Sequence, residues 1–198
     1  MTEEIKIIYS KLRSKWKGQI YQNYRKSIGR FYLINPVIDI FKDKDVLEIG
    51  SNAGLYSLKI MEVARSYIGI DKDKHFHAQA KITKKVLGTD NVEFVNNSLS
   101  RFVRSQIRKE IEYNYNALFA SFIIYHLNEK EISMLEEFIL PKIEVAIIQT
   151  RNKLKDNNLN QYKDKNKLVN FIESNGFCVD SYWAEERKVC VIKAIKAK

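Results

Sequence analysis

Asp45-Val-Leu-Glu-Ile-Gly-Ser-Asn-Ala-Gly54, followed by Ile68-Gly-Ile-Asp71, is the stretch of this chain that decides its fold. An apolar strand runs into a glycine-containing loop. The pattern then predicts a helix over Leu55 to Val63 and a second apolar strand that ends on an acid 21 positions after Gly50. This is the layout of a nucleoside-binding βαβ unit. Glycines let the backbone turn sharply and approach a ligand closely, a helix N-terminus offers unpaired N–H groups, and an acid about 20 residues on can grip two ribose hydroxyls at once.

The loop narrows the choice of nucleoside. A dinucleotide fingerprint G-x-G-x-x-G starting at Gly50 requires glycines where Asn52 and Leu55 stand. What is present is E-x-G-x-N-x-G, from Glu48 through Gly50 and Asn52 to Gly54. It resembles the first motif of the class I S-adenosylmethionine (SAM) dependent methyltransferases, usually (D/E)-x-G-x-G-x-G. Asn52 departs from the central glycine, but Asn tolerates positive φ well, so the turn can survive the change. The resemblance covers roughly residues 20 to 195. It implies an α/β fold: a doubly wound, Rossmann-like, seven-stranded and mostly parallel sheet, with six strands parallel and the last antiparallel. It also implies SAM as cofactor, held by Glu48, Gly50, Ser51, Asn52, Gly54, Leu55, Asp71, Lys72, Asn97, Ser98 and Ser121.

The remaining elements follow in the same order. A polar helix is predicted over about 74 to 87, a turn at Gly88-Thr-Asp-Asn91, and an alternating strand at Val92-Glu-Phe-Val95. That strand ends in Asn96-Asn97-Ser98, where family members commonly place an acid-containing loop against the adenine; the Asn97 side-chain oxygen can still accept a hydrogen bond from the adenine amino group. A basic amphipathic helix (about 99 to 112) precedes the apolar run Ala117 to Ile124, which reads as a fully buried parallel strand ending at Tyr125-His126-Leu127. Then come a helix (about 129 to 139) stopped before Pro141, the strand Val145 to Gln149, and an Asn/Lys-rich loop from Arg151 to Asn160. A helix (about 161 to 174) and the strands Phe177 to Trp183 and Lys188 to Ile195 close the chain.

With 198 residues and 45% apolar side chains, the chain can bury one substantial core and not two. A helical arm over 1–35 followed by one cofactor-binding domain over 36–198 is the expected division. No apolar run reaches the ~20 residues of a membrane span, and the N-terminus lacks the pattern of a signal peptide, so a cytoplasmic location is expected. Cys178 and Cys190 read as buried free thiols in a reducing compartment. His75 and His77, two apart on a helix, face different ways and make a poor metal pair; no metal site is expected.

Charge leaves the partner open. The formal net charge is +10, and residues 1 to 35 alone hold eight Lys/Arg against two Glu. From Lys11 to Tyr32 cations interleave with aromatics, a pattern that suits RNA phosphates and bases, an anionic small or glycan substrate, or simply a solvated helical face. Helical spacing of Leu12, Trp16, Ile20 and Tyr24 predicts that residues 9 to 32 form a lid over the cofactor, with Tyr21 and Arg25 reaching the site. The order of elements also looks like that of small methyltransferases acting on polysaccharide or lipid-linked glycan termini, and the Ser-Asn-Ala-Gly loop looks like that of enzymes modifying a wobble uridine of tRNA.

The sulfonium of SAM already carries an activated methyl group, so the protein must bind, align and exclude water, adding a base where the acceptor is a hydroxyl or protonated amine. His126 is the best candidate base, because it follows the central strand at the carboxyl edge of the sheet and imidazole titrates near neutrality; Tyr125 is the second. No Asn/Asp-Pro-Pro-Tyr/Phe sequence follows this strand, which argues against the exocyclic base-amine enzymes that carry it. The reading is methyl transfer to oxygen or nitrogen of a small-molecule or glycan-like acceptor. An RNA methyltransferase and a catalytically inactive SAM-binding regulatory subunit are the alternatives.

Overall fold

The structure, a computed structural model, describes residues 33–151, 159–184 and 189–197. The expected lid, with Tyr21 and Arg25, lies outside the described residues. Seven strands form one sheet: β1 (Asp45–Ile49), β2 (Ser66–Ile70), β3 (Val92–Val95), β4 (Ala117–Ser121), β5 (Val145–Arg151), β6 (Phe177–Ala184) and β7 (Val189–Lys196). Their order is β3-β2-β1-β4-β5-β7-β6. Pairings among β1 to β5 are parallel, and β7 runs antiparallel to both neighbours, as the resemblance implies. Chain order reverses between β1 and β4. At such a switch point the loops leaving adjacent strands diverge and open a crevice at the carboxyl edge.

Two apolar cores sandwich the sheet, because side chains alternate along each strand. Leu47, Ile49, Leu118, Ala120, Ala146 and Ile148 belong to one. Val46, Tyr67, Ala117, Phe119, Val145 and Ile147 belong to the other, where Leu33, Ile34 and Phe41 also pack. Phe119 is held edge-on by Phe41 and Tyr56, at centroid separations of 6.4 and 4.7 Å.

The helices are α1 (Ser57–Ile60), α2 (Lys74–Leu87), α3 (Leu99–Ile107), α4 (Glu129–Met134) and α5 (Lys165–Ser174). Asp73 caps α2 through the N–H groups of His75 and Phe76, and Gly88 ends it in the left-handed conformation. Ser98, Asn128 and Asp164 cap α3, α4 and α5. Beyond Met134 the chain widens into a π turn over Leu135–Ile139 and tightens at Leu140–Lys142, where Pro141 lacks the N–H needed to continue.

Several expectations need correction. The helix predicted over 55–63 is four residues of α-helix between turns, since Gly54 with φ 71° delays its start. The helix expected to reach 112 ends at Ile107, with Lys109 at φ 56°. The apolar run 117–124 is strand only to Ser121; Phe122 takes φ 58°, and Ile124–His126 form a 3-10 turn. Cys190 is a buried free thiol, whereas Cys178 is exposed. Among the described residues no helix is long and apolar enough to cross a membrane, and no cluster of His, Cys, Asp and Glu could hold a metal ion.

Gly54 is the tightest point of the loop after β1. A Cβ there would lie 2.2 Å from Cζ of Phe94 on β3. Gly54→Ala therefore combines a left-handed backbone penalty with overpacking, and a loss of about 2 to 4 kcal/mol is expected in urea denaturation. Phe94→Leu in the same chain should restore part of it. Strictly additive losses in the double variant would show that the ring is not the obstacle.

Candidate cofactor and acceptor cleft

The carboxyl ends of β1, β2, β4 and β5 surround a cleft of about 550 Å³. One end, the Asp71 end, is built from the loop after β1. Gly50 and Ser51 both donate backbone N–H bonds to the Ile70 carbonyl, at 2.9 and 3.0 Å. Asn52 donates its own N–H to Asp71 Oδ2 at 2.8 Å, while the Asp73 N–H donates to Asp71 Oδ1 at 2.8 Å. The carboxylate is thus fixed by one bond on each oxygen. Each oxygen keeps a lone pair, which fits a pair of ribose hydroxyls. Asn52 has φ 48°, the conformation its side chain was expected to tolerate, and its Nδ2 donates to the Gly50 carbonyl. Gly50 has φ 73°, and a Cβ there would meet Ile123 Cγ1 at 2.8 Å, so its missing side chain also admits the loop after β4.

Asn97 and Ser98 line the same end, and Asn96 ties their loop to the Asp71 carbonyl at 2.9 Å. Thr83 on α2, fully buried, donates to the Ala53 carbonyl at 2.7 Å and secures the β1 loop from behind.

The other end is assembled from β4, β5 and the turn between β4 and α4. Phe122, Ile123, Tyr125 and His126 line it. Positive φ at Phe122 ends β4 and swings the following residues over the cleft; its N–H donates to the Gln149 carbonyl. Asn160 then clamps the turn. Its Nδ2 donates to the carbonyls of Ile124 and Leu127 at 2.9 and 2.8 Å, and its N–H to that of Tyr125 at 3.1 Å. His126 is exposed on this clamped turn with its ring 4.7 Å from that of Tyr125, which is itself buried.

Glu48 forms the cleft floor and is 1% exposed. The Tyr67 hydroxyl donates to its Oε2. Burial, aided by the negative charge of Asp71 and opposed by the Tyr67 bond, pushes its carboxyl from an ordinary 4.5 up to about 8. Burial and the Glu48 charge drive the Tyr67 hydroxyl up as well.

Glu48, Gly50, Ser51, Asn52, Leu55, Asp71, Lys72, Asn97, Ser98, Ser121, Tyr125 and His126 all line the cleft. Gly54 does not; it faces Phe94 and serves packing. Among the lining residues that sequence reasoning missed are Tyr56, Phe122, Ile123, Glu131 and Arg151, with Tyr67 and Asn160 behind them. A polar Gln149-Thr-Arg151 closing an apolar strand was a signal for part of this.

No protein-family model matches this sequence, and no curated protein matches it. Solved structures do match. The magnesium protoporphyrin IX methyltransferase ChlM of Synechocystis, with bound SAM, is 14% identical over 98% of this chain and 90% of its own, with a TM-score of 0.64. DhpI in complex with S-adenosylhomocysteine (SAH) is 14% identical over 98% and 96%, with a TM-score of 0.66. The methyltransferase domain of bacterial CtHen1 is 18% identical over 84% and 97%, with a TM-score of 0.60. The chain has the class I methyltransferase fold.

The displaced Glu48 titration has a measurable consequence. Below pH 4.5 the carboxyl is protonated in folded and unfolded chains alike, whereas between 4.5 and about 8 only the unfolded chain ionises it. Stability is therefore expected to fall as pH rises through that window and to level off above it. Glu48→Gln, which keeps the shape without the charge, should remove this component, so its advantage over the parent in urea midpoint grows from pH 5 to pH 8. An equal difference at both pH values would place the carboxyl back in its ordinary range.

Proposed function

We propose that this protein is a SAM-dependent methyltransferase acting on oxygen or nitrogen of a small acceptor. The single observation that carries the reading is the Asp71 carboxylate, fixed by two backbone N–H groups at the tip of β2 and facing a cleft whose opposite end bears His126. The neighbours crystallised with SAM or SAH support the same cofactor. Bound SAM would supply the activated methyl group.

The chain's own residues then have separable tasks. Asp71 accepts the ribose hydroxyls, Asn97 and Ser98 border the base, and the Gly50–Asn52 backbone sets how closely the ligand approaches β1. Ile123, Leu127 and Phe122 give the far end an apolar wall that excludes water, which sharpens alignment of the acceptor. His126 would take up the proton that the acceptor oxygen or nitrogen gives up. The size of the cleft and the apolar wall favour a small acceptor, as does the magnesium protoporphyrin IX that ChlM is named for.

Asp71→Ala should weaken SAM binding by tenfold or more, since hydrogen bonds to a charged group contribute roughly 1.5 to 3 kcal/mol. Unchanged affinity by calorimetry in a folded variant would sink the cofactor assignment. His126→Ala is expected to lower acceptor-dependent SAH release about 100-fold while SAM affinity stays within a few-fold. Full turnover would remove His126 from the chemistry. Methyl incorporation from labelled SAM into a cell extract should survive ribonuclease treatment; its loss would make RNA the better acceptor class.

A further inference from the structure

The end of the cleft remote from Asp71 holds a cation, Arg151, that makes no ion pair with an acid among the described residues. Along β5, alternation puts Val145, Ile147, Gln149 and Arg151 on one face of the sheet, and Ser121, the register partner of Gln149, shares that face. Arg151 is exposed and lines the cleft, its guanidinium carbon 5.3 Å from the centroid of the Phe122 ring. Lys44, Lys59, Arg65 and Arg108 each pair with a carboxylate. Arg151 has no such partner among the described residues, and Lys72, the other basic chain in the cleft wall besides His126, stands between Asp71 and Asp73.

A second observation lies one layer beneath. Gln149 is 1% exposed, and the hydroxyls of Tyr56 and Ser121 both donate to its Oε1, at 2.9 and 2.7 Å. Two donors into one oxygen fix the amide and leave Nε2, a buried donor, without an acceptor among the described residues. A buried donor without an acceptor is costly, and Gln149 stands beneath the cleft wall without lining it. Strand order separates β2 from β5 by three spacings, roughly 14 Å, which a nucleoside with an extended amino-acid tail can bridge once the reach of Arg is added.

We propose that Arg151 is the anion anchor of the cleft: its guanidinium, stacked on Phe122, pairs with a carboxylate or phosphate of a bound ligand at the end remote from Asp71. The anion has two sources, the amino-acid carboxylate of the cofactor, which rests on the SAM reading, or an acidic group on the acceptor. Stacking leaves the guanidinium edge and its N–H fork available, the geometry that recognises planar anions.

Calorimetry on the full chain separates the sources. SAH carries the carboxylate, 5′-methylthioadenosine lacks it, and phenyl phosphate and benzoate report an acceptor-like anion when added to SAH-loaded protein. If the cofactor supplies the anion, Arg151→Ala should weaken SAH at least tenfold and leave 5′-methylthioadenosine within twofold, with Arg151→Lys in between. If the acceptor supplies it, SAH is unchanged and aryl-anion binding is lost in Arg151→Ala. Equal weakening of SAH and 5′-methylthioadenosine, or no ligand responding to the substitution, overturns the proposal. Failure of wild-type protein to bind either adenosine compound would instead count against the SAM reading, and the aryl-anion comparison without SAH would still decide Arg151.

Discussion

Everything at the Asp71 end of the cleft depends on how the loop after β1 is fastened to the tip of β2. Three successive backbone N–H groups, from Gly50, Ser51 and Asn52, are spent on the Ile70 carbonyl and the Asp71 carboxylate. That geometry demands left-handed backbone at Gly50, Asn52 and Gly54, with non-glycine tolerated only at Asn52, whose short amide bonds back to Gly50. The same bonds hold Asp71 still. A carboxylate oriented in advance would lose little freedom on binding a ligand.

From that fastening outward, polarity of one sheet face does the rest. On the face that buries Val46, Phe119 and Ile147, the last inward positions of β1, β4 and β5 are Glu48, Ser121 and Gln149. An apolar core thus turns polar within one residue pair of the carboxyl edge. Tyr56 from the segment before α1 covers this row, packing its ring on Phe119 and its hydroxyl on Gln149. The row is buried enough to displace the Glu48 titration and close enough to the cleft that Glu48 and Ser121 line it. Low dielectric strengthens each of these contacts and makes each unpaired group costly.

The parts legible in the sequence were those set by local pattern. Strand β1, its glycine turn, the acid at Asp71 and helix α2 announce themselves through runs and spacings that need no distant partner, and the seven-stranded topology follows from the resemblance they support. The parts that were not legible depend on register. Nothing near Tyr67 says that its hydroxyl will meet Glu48, because that contact exists only once β1 and β2 pair with Glu48 opposite Gly69. Asn160 lies in a polar stretch that reads as loop, yet it closes a turn more than thirty residues away. The run Ala117 to Ile124 misled for a related reason: hydrophobicity cannot distinguish a residue buried in a sheet from one that turns over a cleft, and a bulky Phe at positive φ defies its own preference.

That last position links the two ends of the cleft. A residue such as Phe122 enters the left-handed region at a cost of about 1 kcal/mol or more, and persists there only where surroundings determine it. Two determinants are visible: the bond from its N–H to Gln149, and the Arg151 guanidinium across its ring. The close approach of Ile123 to Gly50 sets the loop after β1 against the turn after β4. A glycine required for one turn by its φ is required a second time by its neighbour, and the candidate base is placed by the turn at Phe122, by the bond from its own N–H to the Ile123 carbonyl and by the Asn160 clamp together.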